Sequence, residues 1–546
     1  MALLLGPALR HVSDTTALVW VQTDSPATVE VLNGFARTFA VQGHHYALVA
    51  VTGLTPDTVT EYDVRCDGEV VWPLADSTFP PSVIRTRGPQ STHRLQAIFG
   101  SCRYPKTDDP SLESRLGIDA LDAYATRMAT QPVDDWPEAL ILLGDQLYAD
   151  ELTPEARQRL AGRRGRAKRA ARPPDEVVSF AEYERLYRYS WSDPEIRWLM
   201  STVPTAMIFD DHDIRDDWNT SASWRADINE KPWWRDRIRA GLASYWVYQH
   251  LGNLSPAELA ADEDYRRLLA TDGDCWPYLA ELADRADAEV DGNKGVRFSY
   301  RWDFGRSRLI MIDSRNGRIL DSGQRMMVGE NEFDWVRAQV CDGLDELDHL
   351  MLASSVPWLM PPALGDLEAA NERNADRPGL RGRIAEKTRQ ALDLEHWPAF
   401  HKSFVRLAEL IHDVAGHPQG PATVNVLSGD VHHSYAARVE WAGESGQPAP
   451  VHQLVCSPVN NYVPAFVKPV FTLAWTRPAA TLARWWARLR HVPALPLSWA
   501  NTCGPLFGNT IATLLVDGRG AEVLFEQPRG ADALEQVGRV RLSRPT

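Results

Sequence analysis

Three short stretches of the sequence concentrate residue types able to hold cations. Gly144-Asp145-Gln146-Leu147-Tyr148 sets a carboxylate and a phenol three residues apart. A carboxylate at the end of a strand can bridge two ions through its two oxygens, and a phenolate curling back is a hard donor suited to a trivalent ion. Asp210-Asp211-His212-Asp213 adds carboxylates and an imidazole. In Gly429-Asp430-Val431-His432-His433, Asp430 and His432 stand two apart, which on an extended segment turns both side chains to one face. Cys102, within Gly100-Ser101-Cys102-Arg103-Tyr104, joins them as a thiol that a cation would hold as thiolate. The pooled set offers Cys, Asp, Tyr and His to one ion and three Asp to another. Thiolate and phenolate suit iron, whereas carboxylates suit calcium, magnesium or manganese. Two cations about 3.5–4 Å apart clamp a phosphate and bring a bridging water near neutrality, so that a metal-activated hydroxide can cleave a phosphate ester.

Such residues need a rigid frame. From residue 91 onward, apolar runs recur and each ends in a polar loop: Leu95 to Phe99, Ala139 to Leu143, Ala206 to Phe209, Leu309 to Ile312, Leu350 to Ala353 and Val424 to Leu427. Buried strands alternating with helical stretches predict an α/β body, either a parallel sheet or a layered αββα sandwich. Ligands in such folds bind at the carboxyl ends of the strands, where the acidic loops fall. Residues 1–90 read differently. Ala17 to Val21, Ala27 to Leu32 and Tyr46 to Val51 are short strands, and the Leu54-to-Pro56 turn before Tyr62 fits an immunoglobulin-like or fibronectin-III-like β-sandwich with Trp20 as its core aromatic. The chain thus divides into an all-β domain over 1–90 and a catalytic domain over 91–546.

Three stretches fall outside this rhythm. Trp233 to Leu251 carries apolar residues at helical spacing and is read as a core helix. Residues 155–172 hold eight lysines and arginines, read as a surface helix or insertion, with steering of an anionic substrate as the alternative. Within 464–500, Leu482, Trp485, Trp486 and Leu489 share a helical face interleaved with arginines. This segment either packs over the catalytic body, or forms one wall of its entrance, or makes peripheral contact with a membrane surface.

Composition narrows the function classes. With 44% hydrophobic and 24% charged residues the chain is an ordinary globular protein. Its formal net charge of −15 opposes a nucleic acid as a stable partner and suits a collector of divalent cations. The six cysteines form no C-x-x-C pair, which fits a reducing compartment, and with no visible signal peptide the expected location is cytoplasmic. The opening apolar residues read as an edge strand. No oligomeric state follows from these features.

Gly100-Ser101-Cys102, Gly144 to Asp150, Asp210 to Asp213 and Ser428 to His433, in this order, resemble the PhoD-type alkaline phosphatases (alkaline phosphatase D) of the calcineurin-like metallophosphoesterase superfamily. The Gly144-to-Tyr148 motif is also similar to that of purple acid phosphatases. The resemblance covers most of the chain and implies an αββα catalytic fold, Fe³⁺ with Ca²⁺, and hydrolysis of phosphomonoesters or phosphodiesters. It implies that Cys102, Asp145, Tyr148 and His432 bind iron, and that Asp145, Asp211 and Asp430 bind the second ion, with Mn²⁺, Mg²⁺ or Zn²⁺ as alternatives there. His212 matches a phosphate-side histidine that donates a proton or stabilises the transition state, and Asp313 and Arg315 match a further strand end. Arg103 stands where Gln is more usual and is expected to add positive charge beside the phosphate. Family members commonly carry a twin-arginine leader, and none is visible here. The alternatives to a phosphatase are a phospholipase- or nuclease-type phosphodiesterase on the same site and, from another class, a non-catalytic binding protein.

Overall fold

Residues 3–85 alternate apolar and polar side chains and form strands. They are β1 (Leu3–Val12), β2 (Thr16–Thr23), β3 (Thr28–Val31), β4 (Gly34–Arg37), β5 (Phe39–Val41), β6 (His44–Thr52), β7 (Val59–Glu61), β8 (Val64–Cys66), β9 (Glu69–Trp72) and β10 (Val83–Arg85). The structure, a computed structural model, describes residues 2–544 apart from 90, 166–171, 293–294, 322, 376, 443–448 and 466. Two four-stranded antiparallel sheets, β1-β2-β6-β5 and β4-β3-β8-β9, enclose Leu9, Val19, Val21, Val29, Val49 and Val64, while β7 pairs with β10. The opening residues do form an edge strand.

Trp20 is not the core aromatic of this sandwich. On β2, Val19 and Val21 face inward, so Leu18 and Trp20 face out, onto the larger domain. The Trp20 ring lies 5.2 Å from Tyr248 and its Nε1 donates to the Val247 carbonyl. Period-two alternation defines two faces of a strand without saying which is interior, and here both are covered. Tyr62 likewise closes no corner within the sandwich, because its hydroxyl donates to the Ser201 carbonyl of the larger domain. Arg10, fully buried, crosses the same junction to the Gln249 carbonyl and Asn253.

The larger domain holds β11 (Arg94–Gly100), β12 (Ala139–Leu143), β13 (Thr205–Ile208), β14 (Tyr300–Phe304), β15 (Ser307–Met311), β16 (His349–Ala353), β17 (Thr423–Ser428), β18 (Ser434–Trp441), β19 (Val451–Val455), β20 (Leu497–Leu506), β21 (Ile511–Asp517), β22 (Gly520–Pro528) and β23 (Leu534–Arg541). One sheet runs β13-β12-β11-β21-β22-β23 and the other β14-β15-β16-β17-β19-β18-β20. β11, β12 and β13 are mutually parallel, as are β15, β16, β17 and β19. Leu309, Met311, Met351, Ala353 and Leu427 share a core with Ala97, Phe99, Leu140 and Leu142 of the facing sheet. The intervening Ile310, Leu350, Leu352, Val424 and Val426 pack under helices Glu330–Cys341 and His401–Ala415 through Phe333, Val336, Phe404 and Leu407. Each such buried aliphatic side chain stabilises the fold by about 1.5–3 kcal/mol, so register is fixed along both faces. With helix Ala120–Met128 on the outer side of β21–β23, the layers are helix, sheet, sheet, helix.

Helix Trp234–Tyr245 is core as read, with Trp234, Ile238, Leu242 and Tyr245 buried. Segment 464–500 forms helices Val467–Ala474 and Arg477–Leu489. It does pack on the catalytic body, but through Ala474, Ala483 and Ala487 against Ala363, Ala369 and Ala370 of helix Pro362–Ala375. Leu482, Trp485, Trp486 and Leu489 are turned to solvent. The basic stretch begins as helix Pro154–Arg163, Arg164 is buried against Glu182, and 166–171 lie outside the described residues.

Candidate metal centre

Two glycines let the strand ends converge. Gly429 follows β17, and a Cβ there would stand 2.2 Å from that of Ser101 after β11. Gly144 follows β12 with φ 101°, and a Cβ there would stand 2.6 Å from that of Asp210 after β13. No larger residue fits either approach. Residues of these convergent turns adopt left-handed backbone: Cys102 (φ 58°), Asp145 (φ 52°), Asp430 (φ 68°) and His432 (φ 49°). Each costs a non-glycine residue about 1–2 kcal/mol, and such outliers gather at functional sites. They persist because the turns are tied across strands: Cys102 N–H donates to the Gly144 carbonyl, Gly429 N–H to that of Ser355, and His432 N–H to Ser457 Oγ. The segment from Gly429 to His432 is therefore two successive tight turns and not extended chain. Asp430 and His432 consequently serve different ligand groups instead of sharing one face.

Those groups overlap. Ligand atoms of Cys102, Asp145 and His432 lie within 4.8 Å of one another, as do those of Asp145, Asp211 and His212, and those of Asp210, Asp211 and Asp430. Asp145 and Asp211 are each shared, so the three sets form one continuous line of donors. Cys102 Sγ lies 3.3 Å from Asp145 Oδ2. Tyr148 is buried against Tyr104 and the His212 ring, and its hydroxyl accepts from Asn461 Nδ2 at 2.7 Å. Burial and the neighbouring Cys102 and Asp145 push its phenol well above its usual pKa, and burial with Asp145 and Asp430 does the same to the Cys102 thiol.

The charge balance shows what this line lacks. Asp145, Asp210 and Asp211 are buried beside the half-buried Asp430, and Asp145 Oδ1 and Asp210 Oδ2 have no hydrogen-bond partner. Burial, reinforced by Asp210, Asp211 and Asp213, drives the Asp145 carboxyl well above the usual range despite the attraction of His212. Cations relieve exactly such crowding, so buried unpartnered oxygens beside a thiol, a phenol and imidazoles fit metal ions. The chain itself supplies one guanidinium at the far side: Arg315 pairs with Asp210, Asp211 and Glu395, and Glu395 also binds Arg318. Asp313 caps the Arg315 turn by accepting the Arg315 and Asn316 N–H groups.

His212 joins the group of Asp145 and Asp211, not that of Cys102 and His432. Its Nδ1 lies 2.9 Å from Asp150 Oδ1. Burial opposes its charge, but Asp150, Asp145 and Asp211 outweigh burial and hold its pKa well above the ordinary value. His432 shows the opposite balance, pushed down to about 4 by burial, and so is a neutral donor.

Arg103 does not stand beside a phosphate position. Its guanidinium is buried on the other side of the turn, paired with Asp119 at 2.8 Å and with Asp122 and Asp193, and it donates to the Ser190 carbonyl. The left-handed turn at Cys102 sends successive side chains to opposite sides of the loop. Several residues were not singled out from the sequence. Asp210 extends the donor line, Asp150 holds His212, and His396 bridges Asp430 (3.0 Å) and Glu368 (2.8 Å). Asp150 and Asp210 sit inside the quoted motifs, whereas Glu368 lies within helix Pro362–Ala375 and Glu395 and His396 lie between helices, none of them at a strand end.

Known proteins agree with this architecture. A solved structure of PhoD aligns with 100% of this chain and 93% of its own at TM-score 0.60 and 13% identity. The purple acid phosphatase PPD1 from yellow lupin (Lupinus luteus) seeds aligns with 98% of this chain and 74% of its own at TM-score 0.51 and 10% identity. At these identities the likeness is one of fold. No curated protein matches the sequence. A domain of unknown function (DUF7800) matches residues 1–84, and the PhoD-like phosphatase family matches residues 119–474. With well over half of its length matched, the chain belongs to the PhoD-like phosphatase family and is a hydrolase of phosphoric esters.

Proposed function

We propose that the protein hydrolyses phosphomonoesters, phosphodiesters or both at a two-cation centre. The observation that carries this reading is the line of three overlapping donor groups in which buried oxygens of Asp145 and Asp210 lack any partner. Cys102, Asp145, Tyr148 and His432 would hold Fe³⁺, because a thiolate and a phenolate favour it. Asp145, Asp211 and Asp430 would hold Ca²⁺, or Mn²⁺, Mg²⁺ or Zn²⁺ in its place, with Asp210 alongside. When bound, the cations would supply Lewis acidity and a nucleophilic water at neutral pH.

The chain's own groups then divide the remaining work. Asp145, shared between groups, fixes the spacing of the two positions. Arg315 holds Asp210 and Asp211 in place, and Glu395 with Arg318 keeps that guanidinium oriented. Asp150 orients His212 and favours its protonated form, from which Nε2 could donate to a phosphoryl oxygen or a leaving alkoxide. Among the described residues, the all-β domain, 1–90 in our division, contributes no group to the centre, and its immunoglobulin-like character rests on the two facing antiparallel sheets. All six cysteines are unpaired, which supports work in the cytoplasm.

The test is a panel of chromogenic monoesters and diesters with and without chelator. Chelator-sensitive hydrolysis of at least one class is expected, and no hydrolysis by fully metallated protein would leave only a binding role. Ferric iron on phenolate or thiolate absorbs visible light, so oxidised protein should be coloured and Tyr148→Phe should weaken or shift the band. A colourless, fully active protein carrying two zinc ions would refute the iron assignment alone.

A further inference from the structure

Residues 445–516 contain no aspartate or glutamate, in a chain that has 73 of them and a net charge of −15. The same stretch carries five lysines and arginines, and at its centre lies the helical pair Val467–Ala474 and Arg477–Leu489. The second helix is two-faced. Ala483 and Ala487 are buried against the catalytic body, and Arg484 turns inward to Asp366 at 3.2 Å. On the opposite side Leu482 (66% exposed), Trp485 (56%), Trp486 (40%) and Leu489 (52%) follow the i, i+3, i+4, i+7 spacing of one stripe. Val470 and Leu473 of the first helix are exposed as well. Indole rings cost free energy in water when nothing covers them, so an uncovered stripe of this kind marks an interaction surface.

The charges say what covers it. At about 100° per residue, Arg488 and Arg490 fall on the two sides of the apolar stripe. Arg490 lies over the Trp486 ring, 4.3 Å from its centroid, and Arg477 and Lys468 are exposed nearby. Aromatic and leucine side chains flanked by cations, in a segment with no carboxylate of its own and with Asp366 held on its inner side by Arg484, match an anionic lipid headgroup layer. No helix among the described residues is long and apolar enough to cross a membrane, so the contact is with the surface. We propose that the helical pair 467–489 docks the enzyme peripherally on anionic lipid bilayers, with the Leu482–Trp485–Trp486–Leu489 stripe inserted at the boundary between headgroups and acyl chains and the arginines on the headgroup phosphates. Phe471 of the first helix packs on His433 at 4.1 Å, next to the ligand candidate His432, so docking holds the metal centre close to the membrane surface.

The proposal goes beyond phosphoester hydrolysis and is read without measuring it. Full-length protein is co-sedimented with vesicles of phosphatidylcholine alone or mixed with phosphatidylglycerol. Binding to the anionic vesicles only, weakened by high salt, is expected. The double variant Trp485→Ser with Trp486→Ser should bind about tenfold more weakly. Arg488→Glu and Arg490→Glu should each cost about fivefold or more. These residues are on the surface, so circular dichroism and metal content should stay unchanged. Equal binding to both vesicle types, or to neither, would overturn the proposal. So would a concentration-dependent dimer that is lost in the tryptophan variants without any vesicle binding, because the stripe would then cover a second copy of the chain.

Discussion

Two sets of buried carboxylates flank the turn at Cys102, and the chain completes only one of them. On one side, Asp119, Asp122 and Asp193 meet Arg103, with Lys106 bridging Asp122 and Asp193. Ligand atoms of Asp122, Asp193 and Glu195 are as close together as those of the metal centre. Nevertheless their charge is met by cations of the chain itself. On the other side, Asp145 and Asp210 keep buried oxygens with no partner, and the single guanidinium of Arg315 lies to one side. The acidic residues are of the same type at similar spacing in both sets. What separates a structural ion network from an ion site is whether the protein brings its own countercharge.

Substitutions on the two sides should therefore fail differently. Asp145→Asn keeps shape and removes the charge shared by two ligand groups, so turnover should fall by roughly 10³-fold or more while the fold survives. Near-normal turnover with unchanged metal content would break the assignment. Arg103→Met should do the reverse, stranding the buried Asp119 and leaving Asp122 and Asp193 to Lys106 alone, and so destabilising the protein by about 3–5 kcal/mol in urea unfolding, with metal content intact. Unchanged stability with lost activity would return Arg103 to the substrate. His212→Ala removes a proton donor next to the centre, and kcat should drop roughly 10²-fold with little change in metal content. Metal lost in proportion to activity would make His212 a ligand.

At neutral pH the smallest effect is expected from a buried group belonging to neither set. His452 donates from Nε2 to the Leu542 carbonyl, its Nδ1 has no partner, and burial lowers its pKa to about 4. Its neutral form is native, so its contribution is complete above the unfolded-state value of about 6.5 and declines as pH falls towards about 4. Unfolding free energies compared with those of His452→Gln should diverge across that range, by about 3 kcal/mol in total at its acid end. Parallel profiles would contradict the shift.

The frame of the centre was legible because it is written locally. Apolar runs at β11, β12, β13, β15, β16 and β17 end in the loops that carry Cys102, Asp145, Asp211, Asp313 and Asp430, and parallel strands bring those ends together. What failed depended on direction. Arg103 points away because Cys102 is left-handed, and sequence spacing alone assumes a smooth chain. Asp430 and His432 diverge for the same reason. Trp20 reads as the core of its own domain and the Leu482 stripe as either a packing or a membrane face, because periodicity marks a face and tertiary packing chooses its partner. The residues around Glu368 and His396 reach the centre across a long sequence separation, which no local pattern encodes.

Metal content is the most direct test of the difference between the two carboxylate sets. Elemental analysis of the purified protein and of the Asp145→Asn and Arg103→Met variants should give two metal ions per wild-type chain, one of them iron. Asp145→Asn should lose part or all of the pair, and Arg103→Met should keep both. A metal-free wild-type chain with full, chelator-resistant activity would contradict the two-cation centre, and loss of metal from Arg103→Met alone would place the ions in the other cluster.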